Sequence, residues 1–371
     1  MQVQMVKVMA MPKFQQVSQS FYTELKSRVY SYFEEKSKAS TGNGPLFLKA
    51  GILLSAFTFL YVHIVFFNPG VILSIVEYII LGFVVAAIGF NIMHDGSHGS
   101  FSRYKWVNNI AAFSLNILGG NSFMWNMKHN VIHHAYTNVE GVDDDIDIQP
   151  WLRLSTHQKK YRMHKYQHLY FWFFYSLLYL TWIFMMDYQK YFKGKIGDIR
   201  IKKMSFSDHF VFWSFKVLNI ITFVILPIYT LGFIEWVVGF LIFTSVTGFV
   251  ISIVFQLAHT VEHTAFAMPE KTTNKIDDEW AIHQLKTTAN FATRNKIVTW
   301  FVGGLNFQIE HHLFPKISHI HYPAISKIVK QVCKQYGIEY IEYAKTRYAI
   351  ASHVNFLRQM GKAASILPFL L

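Results

Sequence analysis

A single cysteine, Cys333, occurs in 371 residues. No intramolecular disulfide can form, which excludes a disulfide-stapled secreted domain and any thiolate metal cage. Charge is scarce as well. Asp, Glu, Lys and Arg make up 15% of the chain, against roughly 25% in a soluble globular protein. Acidic residues are the scarcer sign, 22 against 35 basic, leaving a formal net charge of +13. The basic residues are scattered between apolar segments and form no dense stripe, so nucleic acid is not the expected partner. Internal repeats and low-complexity tracts are lacking. Residues 1–44 have neither the short apolar core nor the small-residue cleavage site of a signal peptide.

What is present is apolar: 52% hydrophobic and 17% aromatic residues. With a mean hydropathy of +0.23, this is the composition of a membrane protein. The excess Lys and Arg then belong to cytoplasmic loops and meet anionic lipid headgroups.

A spanning helix takes about 20 mainly apolar residues. Residues 46–67 and 71–92 qualify and are separated only by Asn68-Pro69-Gly70, which makes a helical hairpin. Residues 209–229 and 233–257 form a second hairpin, turned near Pro227 and Gly232. Residues 169–186 are also apolar, with charged flanks. The segment after them carries Lys190, Lys193, Lys195, Arg200, Lys202 and Lys203, and should be cytoplasmic. The tight turns of the hairpins carry no Lys or Arg. Residues 169–186 are therefore expected to lie in the interface, with four true crossings and both termini cytoplasmic. The expected fold is an all-α integral membrane protein with a cytoplasmic helical cap, which includes an amphipathic helix at 324–343. The expected divisions are a cytoplasmic segment 1–45, a membrane domain 46–345 and a tail 346–371.

On the expected cytoplasmic side fall four histidine clusters. His94 and His98 stand in HDGSH, His129, His133 and His134 in HNVIHH, His259 and His263 in HTVEH, and His311 and His312 in NFQIEHHLFP. Residues i and i+4 share a helix face, so each H-x-x-x-H pair can present two imidazoles to one ion. Neighbours differ by about 100° around a helix. The pair His311-His312 therefore points two ways, which suits two ions better than one. Eight or nine histidines are too many for one tetrahedral ion. Imidazole accepts Zn, Cu, Fe and Ni, and spacing does not choose between iron and zinc. Ligating histidines usually donate their second N–H to an outer group. The candidates are Asp95, Glu262 and Glu310. The run Asp143-Asp144-Asp145 reads equally well as such a partner or as a solvated loop.

The boxes HDGSH, HNVIHH and QIEHH resemble those of the integral-membrane fatty acid desaturases. So do the stretches HDGSHGSFS, KHNVIHHAYTN, VFQLAHTVEH, HQLKTTANFAT and GGLNFQIEHHLFPKISHIHYPAI. The resemblance covers roughly residues 45–345. Gln308 in place of a histidine is similar to the front-end subgroup, which desaturates between the carboxyl end and an existing double bond. The resemblance implies an O2-dependent dehydrogenation of a lipid acyl chain at two iron ions, Δ6-like, on a linoleoyl-type substrate. It implies His94, His98, His129, His133, His134, His259, His311 and His312 as ligands, with His263 and Gln308 less firmly placed. Residues 1–45 hold no His-Pro-Gly-Gly motif of a fused cytochrome b5 domain. Electrons are then expected from a separate ferredoxin or cytochrome b5, steered by the basic face. The acyl carrier, CoA or a lipid, stays open. A bacterial inner membrane is the expected location, with the endoplasmic reticulum as the alternative.

A CH2 group offers no polar handle, so selectivity requires a narrow apolar channel. Gly119-Gly120, Trp125, Trp300, Gly303 and Gly304 are near the boxes and can shape one, or can simply pack helices. The remaining histidines read as surface or packing residues. Three other functions fit parts of the pattern. HTVEH matches the inverted zinc-protease signature H-x-x-E-H, with Glu262 as base. A lipid hydroxylase would use the same iron ligands. A metal transporter would need ionisable groups inside the spans, where 71–92 has only Glu77 and 233–257 only Glu235.

Overall fold

The computed structural model describes residues 11–16 and 20–364. Parts of the expected N-terminal segment and of the expected tail, residues 1–10, 17–19 and 365–371, lie outside the described residues. The described residues are mostly helical, and the strands among them form three two-residue pairings. Among the described residues, five helices are long and apolar enough to cross a membrane. They are α2 (Gly44–Phe67), α3 (Val71–His98), α5 (Arg162–Lys193), α6 (Phe206–Leu231) and α7 (Phe233–His259). The first helix, α1 (Phe21–Glu35), and α4 (Lys105–Ile117) stand outside that set.

The hairpins form where the sequence forbids helix. Asn43 caps α2 by accepting from the Leu46 N–H, with Pro45 in the first turn. Asn68 at φ 43 and Gly70 at φ 90 reverse the chain into α3. Gly232 at φ 95 does the same between α6 and α7. Small residues let the long helices touch. Thr247 of α7 donates to the Gly82 carbonyl of α3, and a Cβ at Gly239 would strike the Tyr78 ring. A Cβ at Gly248 would meet the Ser176 carbonyl of α5 at 2.6 Å. The outward faces of α2 and α3 are bare hydrocarbon, with Leu48, Phe59, Phe67 and Ile72 largely exposed, as lipid-solvated helices require.

Residues 169–186 belong to a longer helix than the sequence reading gives them. The turns at Arg162–Tyr166 and Asp187–Lys193 extend it to 32 residues, enough to qualify as a span. Its two flanks nevertheless meet elements on the histidine side. Near the start, Gln167 donates to the Leu357 carbonyl of α12 (Thr346–Lys362). Near the end, Lys190 lies 3.8 Å from Asp144, whose neighbour Asp143 bonds His133.

Four further helices follow α7: α8 (Trp280–Thr287), α9 (Lys296–Phe301), α10 (Gln308–Leu313) and α11 (Tyr322–Tyr336). Leu25 and Val29 of α1 pack with Leu285, Ile309, Leu313, Ile325 and Val329 in a core with almost no exposure. Residues 346–362, expected as a tail, form α12, which packs on α5. Buried Arg153 holds its end by donating to the Met360 and Ala363 carbonyls.

One buried ion pair joins the membrane helices to the loop below the histidines. Lys216 of α6 donates to Asp187 at 2.8 Å, to the Gly119 carbonyl at 2.7 Å and to the Ile183 carbonyl at 3.1 Å. Stripping one partner from such a pair leaves an uncompensated charge, at a cost of about 3–5 kcal/mol, whereas replacing both is often neutral. Lys216→Met should therefore lower the unfolding temperature in detergent markedly, and Lys216→Met with Asp187→Leu should recover most of the loss. An unchanged melting curve for the single variant would mean the pair does not hold the helices.

Candidate metal centre

Each histidine cluster reaches the site on a different element. His94 and His98 occupy the last turn of α3, after a widened stretch at Gly89–Met93. His129 and His133 lie in a second widened stretch, Asn126–His133, and the His134 N–H bonds to the His129 carbonyl five residues back. A turn closed by i→i+5 bonds holds more than 3.6 residues, so both i+4 and i+5 fall near the face of residue i. His129, His133 and His134 can therefore all turn inward. His259 ends α7, and His311-His312 sit on α10.

The side chains of eight histidines converge. Ring nitrogens of His94, His98, His129 and His311 lie within 4.8 Å of one another, as do those of His133, His259 and His312. His134 joins His311 and His312 in a third such group. The adjacent pair is thus divided: His311 faces the first set, His312 the second, and their rings are 83° apart. His134 stands between the two sets.

In four of these histidines the Nε2 atom has no hydrogen-bond partner and the Nδ1 atom has one. The Nε2 atoms of His133, His259, His311 and His312 are buried and unpaired. On the other edge, His133 Nδ1 donates to Asp143 at 3.0 Å and His259 Nδ1 to the Thr287 carbonyl at 3.2 Å. His312 Nδ1 donates to Gln284 Oε1 at 2.9 Å, and His311 Nδ1 meets the Tyr322 hydroxyl at 3.1 Å. This is the pattern of ligating imidazoles oriented from behind. Burial, reinforced by the neighbouring rings, holds His129, His134, His311 and His312 well below the usual histidine range, so they are neutral at pH 7, the form that binds a cation. Burial also disfavours charge on His133, but Asp143 beside it raises its pKa overall. All-imidazole donors with unpaired inward nitrogens fit two first-row transition ions.

The carboxylates expected behind the histidines face elsewhere. Asp95 accepts from Ser318 and pairs with His319 at 2.9 Å. Glu262 accepts from Gln359. Glu310 accepts from Asn290 at 2.7 Å and Tyr340 at 2.8 Å, and burial pushes its carboxyl up to about 7. The groups that meet the ring edges are Asp143, from the acidic run that is also a candidate partner, and Gln284, Thr287 and Tyr322. Gln284 and Thr287 belong to HQLKTTANFAT, a stretch without a candidate ligand, and Tyr322 to the stretch ending HIHYPAI, which also carries His311 and His312. Asp143 is buried, so the acidic run is not a solvated loop throughout.

His263 is exposed at φ 75, away from the cluster, which gives the zinc-protease reading no support. Gln308 is buried one turn before His311-His312 on α10. Trp125 stacks on His129 at 4.3 Å and edges against His94 at 5.8 Å. Trp300 stands apart, half exposed with Lys49 over its ring at 5.0 Å. At Gly303 and Gly304 a Cβ would strike the Phe90 carbonyl and the His319 side chain, so these two glycines serve close packing. His353, expected as a packing residue, is fully bonded between Tyr175 and Thr260.

Comparison with known proteins places these residues in context. Residues 70–344 match the family model described as fatty acid desaturase. The sn-1 linoleoyl-lipid 6-desaturase of Arthrospira platensis is 39% identical over 348 residues, 92% of each chain. The enzyme of the same name from Synechocystis sp. is 36% identical over 95% of this chain and 98% of its own. An acyl-lipid (8-3)-desaturase of Physcomitrium patens is 34% identical over 93% of this chain and 72% of its own.

Gln284→Leu removes the acceptor behind His312 without touching a ligand. It is expected to weaken metal binding about 10–100-fold, measured by titrating metal-free protein with Fe(II). Wild-type affinity in that variant would show that the contact does not orient the ring.

Proposed function

The chain belongs to the fatty acid desaturase family, and on that premise we propose that it places a cis double bond at a Δ6-like position in a linoleoyl-type chain carried on a membrane lipid. It is an oxidoreductase of lipid metabolism. The front-end position and the lipid carrier are supported by the names of the two cyanobacterial relatives, which match over most of both chains.

The single observation that carries the metal reading is the division of His311 from His312 between two groups of imidazoles with unpaired inward nitrogens. His94, His98, His129 and His311 would hold one iron, and His133, His259 and His312 the other. His134 lies between them, and Gln308 is within the same turn as the pair. His263 is left out. A di-iron pair bound there supplies the O2-dependent removal of two hydrogens from adjacent CH2 groups. The protein's own part is orientation and exclusion of water. Asp143, Gln284, Thr287 and Tyr322 fix the ring edges, and Trp125 covers His129. Burial keeps His129, His134, His311 and His312 neutral.

Four crossings, α2, α3, α6 and α7, fit best, with α5 entering and leaving on the histidine side. The contacts of both α5 flanks support this, as do the lysines after residue 187. The histidine side is then cytoplasmic, with electrons delivered there by a separate ferredoxin or cytochrome b5. The cyanobacterial relatives favour a bacterial membrane.

The test is expression in a host that makes no polyunsaturated lipid, with linoleate supplied and double bonds located in the products. A new double bond on the carboxyl side of the existing pair is expected. His311→Ala and His133→Ala should each abolish it while the protein still accumulates in membranes. Full turnover by either variant, or a hydroxylated product from the wild type, would contradict the reading.

A further inference from the structure

Two cavities lie in the helix bundle, and they adjoin. The upper, about 70 Å³, is bounded by Phe57, Tyr61, Asn116, Asn219, Thr222 and Phe223. The lower, about 20 Å³, is bounded by Tyr61, Tyr78, Leu81, Phe223, Trp236 and Phe243, among others. Tyr61 and Phe223 belong to both, so their rings form the wall between them.

Tyr61 is fixed by a defect in α6. Its hydroxyl donates to the Thr222 carbonyl at 2.5 Å. Thr222 sits in a widened stretch, Ile221–Ile225, where each carbonyl looks five residues ahead for its N–H. Five residues ahead is Pro227, which has none. The Phe223 carbonyl, four residues before Pro227, is taken by Trp236 Nε1 at 2.9 Å. Pro227 thus leaves the Thr222 carbonyl without its helix partner, and two aromatic side chains from other helices bond the Thr222 and Phe223 carbonyls. Those side chains bound the lower cavity.

The depth matches an acyl chain. Gly96, between His94 and His98, packs on Ala111 of α4. Asn116, in the upper cavity, lies five residues further along α4, about 8 Å at 1.5 Å per residue. Leu81, in the lower cavity, lies thirteen residues before His94 on α3, about 20 Å of helix. One leaflet of a hydrocarbon core about 30 Å thick, roughly the reach of one acyl chain, is about 15 Å. A chain with its reacting carbons at the histidines and its methyl end in the bundle would reach the upper cavity and end near Tyr61. Ile117 and Leu218 at the edge of that cavity are half exposed to lipid, which gives the chain a lateral way in.

We propose that Tyr61, tied to Thr222, is the floor of the acyl site and sets the longest chain the enzyme accepts. This rests on the desaturase reading above. Removing the ring joins the two cavities and extends the path toward Leu81 and Tyr78.

The experiment supplies the expressing host with unsaturated acids two carbons shorter than linoleate, equal to it and two carbons longer, their double bonds counted alike from the carboxyl end. The ratio of longer to linoleate-length product is then read for each variant. Tyr61→Ala should raise that ratio about tenfold, the scale on which one methylene is discriminated in an apolar pocket. Tyr61→Trp, which keeps the wall and thickens it, should move the ratio the other way. Leu81→Trp added to Tyr61→Ala should cancel the gain. A wild-type ratio in both single variants, each accumulating in membranes and still desaturating, overturns the proposal. If one fails to accumulate, the other alone decides. A wild type that desaturates nothing would defeat the functional reading instead, so the two failures are distinct.

Discussion

Everything in this protein is arranged around imidazole nitrogens that are buried and left without a hydrogen bond. Each such atom costs free energy on folding unless something meets it. Here the inward nitrogens of His133, His259, His311 and His312 share that condition within one small volume. A metal cation would meet these nitrogens together. The Nδ1 atoms of these four are met by Asp143, Thr287, Tyr322 and Gln284, so the rings are aimed before any ion arrives. Helices α1, α8, α10 and α11 share one core, and α8 and α10 carry Gln284 and the His311-His312 pair.

The membrane part answers a different demand. It must hold the ends of α3 and α7 side by side, since His94, His98 and His259 are carried there. Glycine contacts at Gly82 and Gly239 let these two helices approach closely. The Lys216–Asp187 pair then ties α6 and the end of α5 to the Gly119 loop, which leads through Trp125 into His129. Metal site and bilayer are therefore coupled through a few polar contacts in an otherwise apolar bundle.

Much of this was legible in the sequence because it is periodic or chemically distinctive. Hydrophobic length gave the hairpins at 68–70 and 232, and the 100° step between neighbouring residues gave the division of His311 from His312. What was not legible depends on distant contacts. Gln284 and Tyr322 carry no local sign of facing a histidine. Asp95 and Glu310 sit beside box histidines in sequence, yet their side chains turn toward His319 and toward Asn290 and Tyr340. The inward turn of His133 and His134 together needs an i→i+5 stretch that residue type does not announce. The length of α5 escaped because its charged flanks continue the helix instead of ending it.

The most direct measurement is the position of the metals themselves, by anomalous scattering or a high-resolution density map of the iron-loaded enzyme. The account requires two ions, one bonded to His311 and the other to His312, with His94, His98 and His129 around the first and His133 and His259 around the second. A single ion, or one ion bonded by both members of the pair, would contradict it.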